Sequence, residues 1–106
     1  MSFPLPAPAA HAIAKLGGDL ARARRRRRLT QASTAERAGI GLATLKRLER
    51  GDASVGLEAV ARVLLVVGDI EHLANLLDTG RDELGLALMD ERLPKRVRRR
   101  TDSGAL

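Results

Sequence analysis

The chain contains no cysteine, tryptophan or tyrosine, and its one phenylalanine is Phe3. Without thiols there can be no disulfide, thiolate metal site or cysteine nucleophile, and a reducing interior is the natural setting. With a single aromatic, a core has to be built from Leu, Val, Ile and Ala, which suits packed helices better than sheets. The only histidines, His11 and His72, are far apart in sequence. Each therefore reads as a lone surface residue rather than a metal ligand or a base, which would want convergent partners. No apolar run approaches the ~20 residues that span a bilayer. The opening "MSFPLPAPAA" is proline-rich and has no positively charged start. Residues 1–8 read as a flexible arm rather than a signal peptide. There is no Ser-His-Asp set, phosphate loop or metal cluster, and carboxylates such as Asp90 and Glu91 are adjacent and solvated. The expectation is a non-enzyme with no cofactor, no metal and no membrane span.

What is present is a chain of 106 residues, 44% apolar, enough for one small domain with tails. The net charge is +6, and its distribution is uneven. Arg22 and Arg24 to Arg28 form one basic cluster; Lys95, Arg96 and Arg98 to Arg100 form another. Within residues 69–91, Asp69, Glu71, Asp78, Asp82, Glu83, Asp90 and Glu91 face Arg81 alone. Such polarity suits a polyanion on one side and a different partner on the other; two solvated faces are the plainer alternative.

Helical periodicity runs through the chain, and no alternating strand pattern competes with it. A first helix is predicted from about Ala9 to Arg27, with Ile13, Leu16, Leu20 and Arg24 on one face. Gly17 and Gly18 weaken its middle by roughly 1 kcal/mol each relative to Ala. Thr30 is an N-cap for a two-turn helix, Gln31 to Ala38, closed by Gly39 as a left-handed stop. A third helix follows from about Leu42 to Arg50 and stops at Gly51. A fourth runs from Leu57 to Val67 with Leu57, Val60, Leu64 and Val67 inward, ending at Gly68. Asp69 caps a fifth, Ile70 to Leu77, and a short sixth is predicted from Asp82 to about Asp90. Pro94 begins a basic tail, residues 94–106, that is mobile on its own. The domain proper is placed at residues 9–78, with residues 79–93 as a helical extension that serves a dimer or partner contact.

Two short helices around a glycine turn are the pattern of a helix-turn-helix. The turn needs Gly39, because one residue must take a positive φ. Ala35 supplies the small residue where the second helix is crossed by the third, and Ile40, Leu45 and Leu48 supply the apolar inner side. Gln31 begins the second helix, where an amide side chain and a helix N-terminus can grip a phosphate.

The stretch "LTQASTAERAGIGLATLKRLERG" resembles the helix-turn-helix of the XRE family, the lambda-type phage repressors and their bacterial relatives. The shared marks are Leu29-Thr30-Gln31, Ala35-Glu36-Arg37-Ala38-Gly39 and Leu48-Glu49-Arg50-Gly51, together with the spacing of Leu16, Leu20, Arg24 and Leu29. The likeness covers roughly residues 13–77. It implies an all-α, five-helix lambda-repressor-like domain, here with a short C-terminal helix and a basic tail. One departure is Thr34, where the family has a Leu-like residue. A buried Thr needs a partner, and the carbonyl one turn earlier is the expected one.

The resemblance implies a third helix lying in the major groove. Gly41, Leu42, Ala43, Lys46 and Arg47 then meet base edges, and Thr44 turns toward a phosphate. Leu42 and Ala43 suit thymine methyls, or alternatively a protein contact; Arg47 and Lys46 suit guanine O6 and N7. Arg24 lies on the apolar face of the first helix, and in the family its counterpart pairs with the counterpart of Glu49, which makes Arg24–Glu49 a structural ion pair. The remaining arginines of the run, Arg22 and Arg25 to Arg28, are expected to be free, with Arg27 and Arg28 best placed for the DNA backbone.

The function implied is a sequence-specific, homodimeric repressor on a palindromic operator in double-stranded DNA, in the cytoplasm and associated with the nucleoid. Leu73, Leu76, Leu77, Leu84 and Leu88 exceed what one small core needs, so some are assigned to a dimer interface, core packing being the alternative. The segment "DELGLALMDERLPKRVRRR" is similar to the end of HipB-like antitoxins encoded beside HipA-like kinase toxins. That likeness implies a toxin partner and autorepression of a toxin-antitoxin operon. Alternatives are a phage-type or restriction-modification controller without a toxin, a mainly protein-binding toxin inhibitor, and a nonspecific nucleic-acid coater. The tail either lies along phosphates or a minor groove, or is simply solvated.

Overall fold

The computed structural model of the chain describes residues 3–78 and 87–88. It contains α1 (Ala7–Arg26), α2 (Gln31–Ala38), α3 (Leu42–Glu49), α4 (Leu57–Val67) and α5 (Ile70–Ala74), with no strand among the described residues. The chain divides into two packed units, Met1–Leu73 and Ala74–Leu106. The core and the helix-turn-helix belong to the first. The architecture is the all-α, lambda-repressor-like arrangement that the periodicity and the resemblance predict.

Helix α1 begins at Ala7, two residues earlier than expected, after Pro6 at its N-cap. Pro8 causes no break, because the first turn of a helix has N–H groups without intrahelical partners and loses nothing by a proline there. Thr30 caps α2 by accepting from the Ser33 N–H at 3.0 Å. The helices end alike. In α2, α3 and α4 a glycine with φ of 73°, 82° or 84° follows the last turn. The next N–H then reaches back to the carbonyl five residues earlier: Ile40 to Ala35, Asp52 to Arg47, and Asp69 to Leu64, at 3.0, 3.0 and 2.8 Å. This is the Schellman closure, which satisfies carbonyls a helix end would otherwise leave bare. Helix α1 ends in the same hydrogen bonds, with Leu29 N–H donating to the Arg24 carbonyl, but the left-handed position is Arg28 at φ 57°.

The core is Leu20, Ala23, Ala35, Ala38, Leu45, Leu48, Val60, Val63, Leu64 and Val67, with Ile40, Val55, Val66, Ile70 and Leu73 packed against it. It is aliphatic throughout, the one aromatic residue, Phe3, being exposed. Leu57 was expected to face inward and does not. The inward stripe of α4 starts at Val60, Val55 of the preceding loop packs on the core, and Leu57 remains 69% exposed. Leu16, placed on the inner face of α1 by its spacing, is more than a third exposed.

Gly17 explains how α1 meets α3. A Cβ built there would run into the Leu48 carbonyl oxygen and lie 3.0 Å from both the Glu49 oxygen and the Gly51 nitrogen. Reciprocally, a Cβ on Gly51 would come within 2.7 Å of the Ala14 Cα. The glycine is thus a crossing point of two backbones rather than a flaw in the helix. Thr34 is fully buried, and its Oγ1 finds no partner, not even the carbonyl one turn earlier. The Thr30 carbonyl accepts from the Thr34 backbone N–H instead.

Helix α5 stops at Ala74, short of the expected Leu77, where a turn closes with the Asp78 N–H donating to Asn75. In the second unit Leu76, Leu77 and Leu88 are exposed, and Ala87 and Leu88 are helical. The rest of the predicted sixth helix, Leu84 and the basic tail lie outside the described residues.

Candidate nucleic-acid interface

The outer surface of α3 follows from what the helix buries. Leu45 and Leu48 go into the core, so the opposite side carries Gly41, Leu42, Ala43, Lys46 and Arg50, all exposed, with Thr44 and Arg47 half-buried at its margins. The first turn of α3 has only small or apolar side chains, and Gly41 gives the helix no side-chain cap. A helix that shows Leu42 and Ala43 to solvent can approach another surface closely, with three basic groups behind them. Arg50, just past the end of α3, extends this face by two turns beyond Ala43 and was not among the expected site residues. Its spacing of seven from Ala43 would have found it.

The flank of the surface is built at the α1–α2 junction. Arg24 reaches from α1 to Glu49 at the end of α3: Nε donates to Oε2 at 2.7 Å and Nη2 to Oε1 at 3.1 Å. Its Nη1 donates to the Leu29 carbonyl at 2.8 Å. Gln31 Nε2 also donates to Glu49 Oε1, at 2.9 Å. One carboxylate therefore ties together α1, the start of α2 and the end of α3, and Arg24 adds the connecting loop through Leu29. The pair is largely buried, with side chains 11% and 7% exposed. Gln31, expected to grip a phosphate, spends one amide N–H on this brace.

The arginines around that junction differ in their engagement. Arg22 was expected to be free, yet its Nη2 sits 2.5 Å from Asp19 Oδ1, while Lys15 holds Oδ2 at 2.8 Å. Those hydrogen bonds from Lys15 and Arg22 hold the Asp19 carboxyl below its ordinary range. Arg27 Nη1 donates to the Ala23 carbonyl at 2.8 Å, although the residue is exposed. Arg25, Arg26 and Arg28 are exposed. Arg28 stands in the α1–α2 turn, three residues before α2 begins.

Arg47 is held at the edge of the α3 face, its Nε 3.3 Å from Asp52 Oδ2. Across the turn, Arg62 of α4 donates from Nη1 to the Ala38 carbonyl at 3.2 Å and from Nε to Glu58 at 3.1 Å, fastening α4 to the start of the turn. Among the described residues no group of His, Asp and Glu side chains converges as a metal site, and no helix is long and apolar enough to cross a membrane.

Residues 15–87 match the family model described as a helix-turn-helix domain, which is more than half of the chain. Comparison with curated proteins and with solved structures gives no match.

Proposed function

From the premise that the chain belongs to the helix-turn-helix domain family, and is thus a helix-turn-helix DNA-binding protein, we propose that it is a sequence-specific transcriptional repressor. The observation that carries this reading is the exposed face of α3: small and apolar at its first turn, with Lys46, Arg47 and Arg50 beyond. A surface meant only for phosphates has no use for Leu42 and Ala43 at its leading end. A surface meant for base edges does, since thymine methyls and guanine acceptors are read by apolar and guanidinium groups. We assign base contact to Gly41, Leu42, Ala43, Lys46 and Arg47, and phosphate contact to Thr44, Arg27, Arg28 and the N-terminus of α2 at Gln31. As a homodimer the protein would set two α3 helices ~34 Å apart and read a palindrome.

The role of antitoxin to a HipA-like kinase rests on the likeness of residues 82–100, of which only Ala87 and Leu88 are described. We keep it as the specific form of the proposal, and a kinase-like gene adjoining this one is the observation that favours it.

The test is to select operators from a random pool of duplex DNA with the full chain. Affinity for the selected sequence and for a scrambled one is then measured at two salt concentrations. A preference of at least ~10³ that survives the higher salt supports the repressor. Equal affinities that fade together with salt mean that the arginines act alone and overturn it. Arg47→Ala is expected to cost about 1–3 kcal/mol at one base pair of the selected site and to relax the preference there.

A further inference from the structure

Helix α3 closes so that the chain folds back over its own last turn. Gly51 takes the left-handed conformation, and Asp52, one residue on, returns its N–H to the Arg47 carbonyl at 3.0 Å. The same reversal brings the Asp52 carboxylate beside the Arg47 side chain. Its two oxygens have separate duties. Oδ1 accepts from the Ser54 N–H at 2.8 Å and from the Ser54 hydroxyl at 2.7 Å. Oδ2 faces Arg47 Nε at 3.3 Å. The Ser54 hydrogen bonds, with the nearby charges of Arg47 and Arg50, hold this carboxyl below its ordinary range, so it is ionised at neutral pH.

We infer that Asp52 is a positioning residue for base readout: anchored by Ser54, it pairs with Arg47 at Nε, so that the terminal guanidinium nitrogens are not the atoms nearest its carboxylate and remain for a guanine edge. The inference rests on the proposed reading of Arg47 as a base contact. Its physical content is preorganisation. A long side chain that must find one geometry loses conformational freedom on binding, and an anchor established beforehand reduces that loss. An arginine tethered by a carboxylate is also less available to a passing phosphate. Its attraction to DNA of any sequence is then weakened relative to its bidentate contact with the right base. Asp52 lies outside the helix and carries the charge that DNA repels, so neither the α3 face nor the basic clusters points to it.

The experiment uses the full chain and the operator selected from random DNA. Affinities are measured for that operator, for the operator changed at the base pair that Arg47→Ala relaxes, and for scrambled DNA. The proteins compared are the parent, Asp52→Asn, Ser54→Ala, Arg47→Ala, and the double variant Arg47→Ala with Asp52→Asn. Asp52→Asn retains an acceptor for Ser54 and is expected to lower discrimination at the Arg47 base pair on the order of tenfold, the range of coupling between touching residues. Affinity for scrambled DNA holds or rises. Ser54→Ala lowers the same discrimination less. In the Arg47→Ala background Asp52→Asn has nothing left to lose at that base pair. If discrimination survives Asp52→Asn while Arg47→Ala abolishes it, Arg47 reads the base unaided and the inference falls with the proposed function intact. An Asp52→Asn loss that is equally large in the Arg47→Ala background places the effect elsewhere and also overturns it. A preference untouched by Arg47→Ala overturns the reading of Arg47 and the inference together.

Discussion

Thr34 fills its place in the core completely, and its hydroxyl bonds to nothing there. A buried unsatisfied hydroxyl costs about 1–3 kcal/mol, and valine has nearly the same shape without it. Thr34→Val is therefore expected to raise stability by about 1 kcal/mol, seen as a higher urea midpoint with an unchanged slope. Arg28 poses a different residue-scale conflict. It occupies the left-handed closure of α1 that glycine occupies in α2, α3 and α4. A side chain there costs roughly 1–2 kcal/mol, and the proposed phosphate contact is a reason to bear it. Arg28→Gly is expected to stabilise the fold by about 1 kcal/mol while weakening binding to operator and scrambled DNA alike and flattening the salt dependence by about one phosphate contact. Equal DNA affinity in that variant would remove Arg28 from the interface.

Elements meet where side chains permit it, and the two neighbouring glycines of α1 separate packing from propensity. Read as sequence, Gly17 and Gly18 weaken the helix equally. In the fold only Gly17 lies against the backbone of α3, whereas a Cβ on Gly18 would find the Arg22 guanidinium no nearer than 3.7 Å. Gly17→Ala is expected to destabilise by roughly 1–3 kcal/mol, because the crossing must open. Gly18→Ala should gain up to about 1 kcal/mol of helix propensity. Thermal melts of the two variants should therefore shift in opposite directions, and a shift in the same direction would mean that the crossing is not tight. Element boundaries were legible where glycine or a capping Thr stood at them, as in α2 and α4. They were not where proline began a helix, as at Ala7.

On the scale of the whole molecule the position of the exposed α3 face depends on Glu49. It receives Arg24 from α1 and Gln31 from α2 at the end of α3. Glu49→Ala leaves a largely buried guanidinium without its partner and is expected to cost about 3–5 kcal/mol of stability, measured by denaturant unfolding. A cost below ~1 kcal/mol would class the pair with ordinary surface ion pairs. The same brace accounts for part of what the sequence left unread. Gln31 at a helix start looks like a phosphate ligand in isolation. Only the approach of Glu49, eighteen residues on, shows where one of its amide hydrogens goes.

Periodicity, glycine placement and the lack of aromatics determined by themselves that this chain is a set of short helices around an aliphatic core, with a helix-turn-helix at residues 31–49. These are local properties, dictated by which residues take a positive φ and which recur every three or four positions. Relations between separate stretches of chain belonged to the tertiary structure: Gly17 against the α3 backbone, Leu57 left outside the core, and Gln31 drawn to Glu49. No pattern of one helix reveals them, because each depends on where a second stretch of chain arrives. The exposed face of α3 was readable early because burial of Leu45 and Leu48 leaves it nowhere else to point. The anchor for its arginine was not, because Asp52 reaches Arg47 only through the reversal at Gly51.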